Sequence, residues 1–457
     1  MEKKTEIVII GAGIGGLMCA YRLAQKRPDA HIVVLEKGRP LQQRVCPLQS
    51  HAADHCVHCP SCAITNGVAG AGAFSDGKFI IGTEYGGWLP DYLGNEKTMT
   101  YINEVDRILQ QFADHEYKRY LPNDDIKQRC MAHDLYLEQA VVVHFGTDGN
   151  RLIMTGLVRQ LTALGVELRT EVAVEDVDAA AHQVVIDGGR RLAYDRLVIA
   201  SGRSGAIWLA DTCQKMGIRM RSNQVDIGVR VELPRLVWED ISRQIYEPKI
   251  IFRTKKYGDN CRMFCFNSGG EVVMENNDGI LTVNGHANAD EAKKTANSNF
   301  ALLSTTNFTQ PFDEPIRYAQ HVARLGNMIS GGSVLVQRLG DLRNGRRTDA
   351  KRLAQSTVRP TLQAVAGDLS LCIPMRQLEN IVETLQALDQ IAPGTANYDT
   401  LLYGVEAKYY SAKPEFMNDH FAIAQDVYAL GDGSGVTRSL SQAGAMGLYV
   451  AEGILDE

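Results

Sequence analysis

Near the start of the chain, Gly11-Ala12-Gly13-Ile14-Gly15-Gly16 has a spacing suited to holding phosphate. It follows the apolar run Glu6–Ile10, and a helical stretch leads on to a second apolar run, His31–Leu35, closed by Glu36 and Lys37. Gly11 suits a tight turn, Gly13 lets backbone approach a diphosphate, and Gly16 lets the helix sit close on its strand. The helix N-terminus would face the negative charge with unpaired N–H groups. Glu36, about 20 residues past the glycines, is placed to accept ribose hydroxyls. Strand, turn, helix, strand and acid in register predict a dinucleotide site, with Gly15 and Lys37 in the same set. The bland alternative is a glycine-rich turn in an ordinary α/β protein.

A second set of reactive residues follows at once. Cys46, Cys56, Cys59 and Cys62 are spaced C-x9-C-x2-C-x2-C, with prolines after Cys46 and Cys59. Three thiolates two residues apart can wrap one side of an iron–sulfur cluster, with a distant Cys-Pro as fourth ligand, although here that Cys-Pro lies upstream. Three other readings stand beside [4Fe-4S]: zinc with His55 or His58 replacing a thiolate, a redox-active disulfide or exposed thiols, and cysteines that bind no metal. Next comes Gly70-Ala71-Gly72-Ala73-Phe74-Ser75-Asp76-Gly77-Lys78, whose small residues permit close backbone approach to a ligand.

These residues need a large scaffold, and 457 residues with 45% hydrophobic content allow two or three domains. A formal charge of −6 gives no general attraction to nucleic acid or anionic membrane. No apolar run reaches the length of a membrane span, and no cleavable leader is evident, so a cytoplasmic protein is expected. In such a compartment ten cysteines need not be disulfides.

Further along, Arg151–Leu164 reads as an amphipathic helix, Val166–Asp187 as short strands, and Leu192–Ser201 as a strand running into Gly202-Arg203-Ser204-Gly205. Val225–Leu233, Arg262–Phe266 and Glu271–Met274 read as strands, and Asp290–Ser298 and Arg352–Ala366 as helices. At the far end a short strand, Asp426–Leu430, meets Gly431-Asp432-Gly433-Ser434-Gly435 and a helix over Ser441–Leu455.

This ending resembles the C-terminal signature of the two-dinucleotide-binding-domain flavoproteins. The resemblance implies that Asp432 binds the ribityl chain of FAD and that the helix opening at Ser441, Gln442 and Ala443 points its N-terminus at the flavin pyrimidine. Leu192–Gly205 resembles the family's middle motif, with Gly202 beside the cofactor. More narrowly, the chain is similar to the bacterial FAD-dependent dehydrogenases described as NAD(FAD)-utilising. That similarity rests on GAGIGGL at Gly11–Leu17, on Gly70–Lys78, on Ile227–Glu232, on Asn284-Gly285 and on Gly404-Val405-Glu406. It departs at Asn267 and Ser268, where a Cys and a Pro are expected, and at Val436–Ser439, usually richer in Gly and Ala.

The fold implied is α/β: a Rossmann-like FAD/NAD(P)-binding domain, discontinuous over 1–215 and 400–457 with a Cys-rich insertion at 44–66, and a mixed α+β substrate or cap domain over 216–399. Gly72, Ala73, Phe74, Ser75 and Asp76 would line the flavin ring. No second complete GxGxxG lies between a strand and a helix, so NAD(P)H would visit only as a transient reductant, or electrons would come from a carrier such as ferredoxin. The expected activity is hydride transfer between flavin N5 and a small organic substrate, carboxylated in one reading, with the protein positioning it and handling protons. Arg230 is read as a carboxylate clamp, Tyr409 as a proton donor, and Arg438 as a cation for flavin or substrate. Cys265 could relay electrons, though a small buried hydrophobe is its default role. Two rival functions are an electron-transfer flavoprotein without organic substrate and an RNA-modifying flavoprotein, the latter disfavoured by the acidic balance. Hydrolase and NTPase motifs are absent.

Overall fold

The computed structural model describes residues 6–47, 50, 52, 57, 59, 61–75, 77–277, 279–286, 292, 294–309, 311–312 and 314–456. Two of the predicted site residues, Cys56 and Asp76, lie outside the described residues. The chain divides into two compact units, one of residues 1–120, 140–221 and 411–457 and one of residues 121–139 and 222–410.

The first unit is built on a six-stranded sheet ordered Ala422–Ala424, Val427–Ala429, Arg196–Ile199, Glu6–Ile10, His31–Glu36 and Glu167–Thr170. All neighbours are parallel except the outermost pair, Ala422–Ala424 with Val427–Ala429. In the central strands successive side chains enter different cores. Ile7, Ile9, Ile32, Val34 and Val198 enter one, and Val8, Ile10, Val33, Leu35, Leu197 and Ile199 the other. Burial on both faces explains why these strands read as continuous apolar runs. Two helices, Ile14–Lys26 and Leu440–Asp456, share the first of those cores. A Cβ added at Gly447 would strike the carbonyl of Gly15, so these helices approach backbone to backbone.

The second unit holds an eight-stranded sheet ordered Val365–Ala366, Leu335–Arg338, Leu401–Lys408, Val225–Pro234, Asn297–Thr306, Asn260–Asn267, Lys249–Arg253 and Leu135–Glu138. Only the pair Leu335–Arg338 and Val365–Ala366 runs parallel. The helix Met375–Asp389 covers part of its core with Leu378, Ile381, Leu385 and Leu388, a stripe at helical spacing.

Several expectations are corrected. Residues 121–139, expected in the first unit, belong to the second, because Leu135–Glu138 completes the edge of its sheet against Lys249–Phe252. Residues 400–410 also belong there, because Leu401–Lys408 is an interior strand of that sheet. Asn297 and Ser298, expected to close a helix, instead open the strand Asn297–Thr306, where Asn297 donates to Glu232 on the paired strand. The helix expected over Arg352–Ala366 stops at Ala354, ahead of β-branched Thr357 and Val358 and of Pro360, which cannot continue a helix. Leu192–Ser201 is two strands, Arg190–Ala193 and Arg196–Ile199, in separate sheets. Among the described residues no helix is long and apolar enough to cross a membrane.

Candidate functional site

In the first turn, Gly11 has φ +102, and a Cβ there would strike the carbonyl of Ala200 on the neighbouring strand. A side chain is therefore excluded twice, by conformation and by space. Gly13 caps the helix with extended backbone and no side-chain cap, and a Cβ built on it meets nothing within 4 Å. The helix thus presents its first N–H groups beside open space, as a diphosphate site requires.

Glu36 is buried, and its carboxylate is already at work. Oε2 accepts from Ala12 N–H at 2.9 Å, and Oε1 accepts from Gly38 at 2.8 Å and Gly67 at 3.0 Å. An ionised carboxylate oxygen takes about two hydrogen bonds, so Oε2 keeps room for one hydroxyl. Lys37 is exposed.

The loop over 63–75 is shaped by Arg44, a residue that no local pattern marked. Its guanidinium donates to four carbonyls: Ala63 at 2.9 Å, Ile64 at 2.9 Å, Val68 at 2.7 Å and Gly70 at 2.8 Å. Burial pushes its pKa down to about 10, with Glu36 opposing the fall. Two cations stand over the Phe74 ring, Arg44 at 4.6 Å and Arg151 at 5.4 Å from its centre. The carbonyl of Gly72 accepts from Ser75 Oγ at 2.7 Å and from Asn150 Nδ2 at 2.6 Å, so the Ser75 hydroxyl is spent on its own turn. Ala73 is buried, and Ala69 N–H donates to Ala12 O at 2.8 Å, tying this loop to the first turn.

Two further turns meet there. A Cβ at Gly433 would lie 2.7 Å from the carbonyl of Gly202, whereas one at Gly202 would meet nothing within 4 Å. Asp432 accepts from Thr437 Oγ1 at 2.8 Å and has Arg203 Nε at 3.7 Å. Burial raises its pKa, with Arg203, Thr437 and Arg438 opposing. The last helix begins with a capping pattern: Gln442 N–H donates to Ser439 Oγ at 3.2 Å, and Ser439 Oγ lies 3.0 Å from Ser441 Oγ. Ser441, Gln442 and Ala443 are buried. The Gln442 side chain accepts from Leu89 N–H at 3.3 Å and donates to Tyr85 O at 3.3 Å, holding the 85–89 loop against the helix.

Two family models match this chain. One described as pyridine nucleotide-disulphide oxidoreductase matches residues 5–206, and one described as FAD-dependent protein, C-terminal domain-like, matches residues 224–409. The chain belongs to an FAD-dependent oxidoreductase family. Thiamine thiazole synthase of Coprinopsis cinerea is 53% identical over 34 residues, which are 7% of this chain and 11% of that protein. Among solved structures, glycine oxidase from Bacillus cereus is 12% identical with a TM-score of 0.38, covering 99% of this chain and 95% of its own. L-proline dehydrogenase from P. horikoshii is 13% identical with a TM-score of 0.40, covering 100% of this chain and 94% of its own.

The residues of the first unit fit FAD. The open cradle at Gly13, the spare capacity of Glu36 Oε2 and the clear space at Gly202 are where a diphosphate, a ribose and a chain crossing between turns would be accommodated. When bound, the flavin supplies hydride chemistry.

The second unit treats its predicted residues differently. Arg230 is fully buried, and its guanidinium donates to Asn299 Oδ1 at 2.9 Å and Cys265 O at 2.8 Å, with Glu406 Oε1 at 3.5 Å. It is thus an internal cation of the sheet rather than an open clamp, and it braces the bulge where half-buried Cys265 takes φ +55. Tyr409 packs against the core of that unit, its hydroxyl lacks a hydrogen-bond partner, and burial pushes its pKa up to about 12, Arg324 opposing.

Of the described candidate thiols, Cys46 is half-buried and Cys59 and Cys62 are exposed. Burial tends to raise the Cys62 pKa, but hydrogen bonds from Thr65 and Ile64 N–H and the Thr65 hydroxyl, with nearby Arg44, hold it below the usual range. Among the described residues no three His, Cys, Asp or Glu side chains are grouped to hold a metal.

Proposed function

We propose that the enzyme moves a hydride equivalent to or from a carbon of a small organic molecule, with the bound flavin as the other partner. The observation that carries this reading is the meeting, within the first unit, of the Gly11–Gly16 turn, the 63–75 loop, the Gly202 turn and the Gly431–Gly435 turn around the open N-terminus at Gly13. The roles of this chain's residues follow. Gly13 and the helix behind it hold the diphosphate, and Glu36 holds the ribose. Asp432 faces the ribityl chain, and the loop ending at Ser75 excludes water. The second unit is read as the substrate domain.

The reductant or oxidant is a nicotinamide that visits without a domain of its own, or a carrier protein such as ferredoxin. The four-cysteine spacing supports an iron–sulfur cluster feeding the flavin. Anaerobic purification followed by a visible spectrum and by iron, zinc and sulfide analysis tests both points. Yellow protein that is bleached by NADH, NADPH or reduced ferredoxin and reoxidised by an organic acceptor is expected. Folded protein that stays colourless with added FAD would falsify the reading.

A further inference from the structure

The net charge of −6 averages two unlike parts of the chain. Residues 338–359 carry seven cations and two acids, a net +5, which leaves −11 on the rest. The whole stretch belongs to the second unit. It leaves the strand Leu335–Arg338 through the short helix Leu339–Arg343, turns at Gly345 with φ +61, and enters a second short helix, Ala350–Ala354.

The acids here are engaged. Asp341 is fully buried and accepts from Arg338 Nε at 3.0 Å, Arg346 Nε at 2.9 Å and Thr348 Oγ1 at 2.8 Å. Asp399, brought in from a distant turn, accepts from Arg338 Nη1 at 3.0 Å and Thr357 Oγ1 at 2.9 Å. Asp349 caps the second helix through Arg352 N–H at 2.8 Å and lies 3.4 Å from the Arg352 guanidinium. Asp368, on the neighbouring turn, accepts from Ser370 N–H at 3.0 Å and Oγ at 2.7 Å. Ion pairs thus account for Arg338, Arg346 and Arg352. Among the described residues Arg343, Arg347, Lys351 and Arg359 form none, and all four are exposed.

Successive turns of the stretch are bonded to one another. Arg346 N–H donates to Asp341 O at 3.1 Å, Arg352 Nη1 to Arg347 O at 2.9 Å, and Arg359 Nη1 to Ala354 O at 2.8 Å. From below, fully buried Gln337 donates through Nε2 to Arg346 O at 2.9 Å. The four unpaired cations therefore stand on a fixed backbone, which leaves less ordering for a ligand to supply. No Leu, Ile, Val, Met or aromatic side chain of 338–359 is exposed. A protein interface has an apolar centre, and a segment lying in a membrane surface inserts apolar side chains. This surface offers charge alone.

We propose that residues 338–359 bind the sugar–phosphate backbone of a nucleic-acid strand. Each cation neutralises its own phosphate and releases that phosphate's counterions, so no two of them need meet on one group. Three of the four unpaired cations are arginines, whose planar fork matches phosphate oxygens. The acidic remainder of the chain repels the strand elsewhere and confines it to this surface. This inference goes beyond the hydride transfer and does not depend on it.

The test uses the full-length protein with short fluorescein-labelled single strands of mixed sequence, one RNA and one DNA, read by anisotropy between about 50 and 200 mM salt. With four phosphates neutralised, log K should fall against log salt with a slope of about −2.8, roughly fiftyfold across that range. Arg343→Gln, Arg347→Gln, Lys351→Gln and Arg359→Gln should each flatten the slope by about 0.7, and Arg347→Lys should keep it. Lys26→Gln combined with Arg159→Gln, which removes two exposed cations of the first unit, should leave binding unchanged. Neither strand binding at the lowest salt overturns the proposal, and so does an equal loss in the first-unit pair. Polyglutamate or phosphatidylserine vesicles that bind more tightly than both strands, and lose that binding with the same four variants, also overturn it. The surface would then belong to an acidic protein or a membrane.

Discussion

Gly11 and Gly13 stand two residues apart and do opposite work. At Gly11 the fold itself forbids a side chain, through a left-handed φ and the carbonyl of Ala200. Gly11→Ala is expected to destabilise the protein by about 2 kcal/mol or more, seen as a lower urea midpoint. At Gly13 the fold leaves space, so the side chain is excluded only by what must lie there. Gly13→Val should cost less than about 1 kcal/mol of stability, yet the purified variant should lose its flavin. Arg44 is a third kind of residue, one that builds a loop. Arg44→Met strips four carbonyls of their donor, each buried acceptor costing about 1–3 kcal/mol. Faster proteolytic cutting within 61–75 and weaker FAD retention are expected. Arg44→Lys should not rescue either, because three donors on an ammonium cannot replace a planar fork.

Some elements are also joined by contacts near the surface. In the second unit Arg376, in the first turn of the helix Met375–Asp389, reaches Asp259 at the start of the strand Asn260–Asn267 with Nε at 2.6 Å, and Asn380 adds a donor at 2.9 Å. Hydrogen bonding to Arg376, assisted by Asn380, holds the Asp259 carboxyl below its usual range. Because the folded value lies below the unfolded one, the gain is full above the usual aspartate pKa and is lost as pH falls through the folded value. Asp259→Asn should therefore cost about 1 kcal/mol at pH 7, given the exposed Arg376 partner, and almost nothing near pH 2 in paired thermal melts. The central strands and the terminal helix were legible because their apolar runs and glycine turns are local patterns. Arg352–Ala366 was misread because charge and apolar spacing imitate a helix that Pro360 then forbids. Leu135–Glu138 carried no sign of its partner, since sheet pairing across more than a hundred residues leaves no mark in a local window.

At the scale of the molecule, the cofactor-binding frame was readable because it repeats one device, a strand ending in a glycine turn, at three remote places. Arg44 was not, because its role arises only when the 63–70 loop folds back over its guanidinium. The same division bears on stability. The first unit keeps its own cores around the sheet and both helices, and its turns leave the Gly13 cradle open. A ligand that binds only the folded form stabilises it by mass action, by about 2.7 kcal/mol at a hundredfold excess over Kd. For a unit of this size that corresponds to a rise of roughly 5–10 °C in Tm. Calorimetry of flavin-stripped protein, repeated with FAD at that excess, should show the rise in wild type and none in Gly13→Val. An identical Tm with and without FAD in wild type would remove the cofactor from the Gly13 turn, whatever the colour of the purified protein, because a group that occupies that helix end must add its binding free energy to folding.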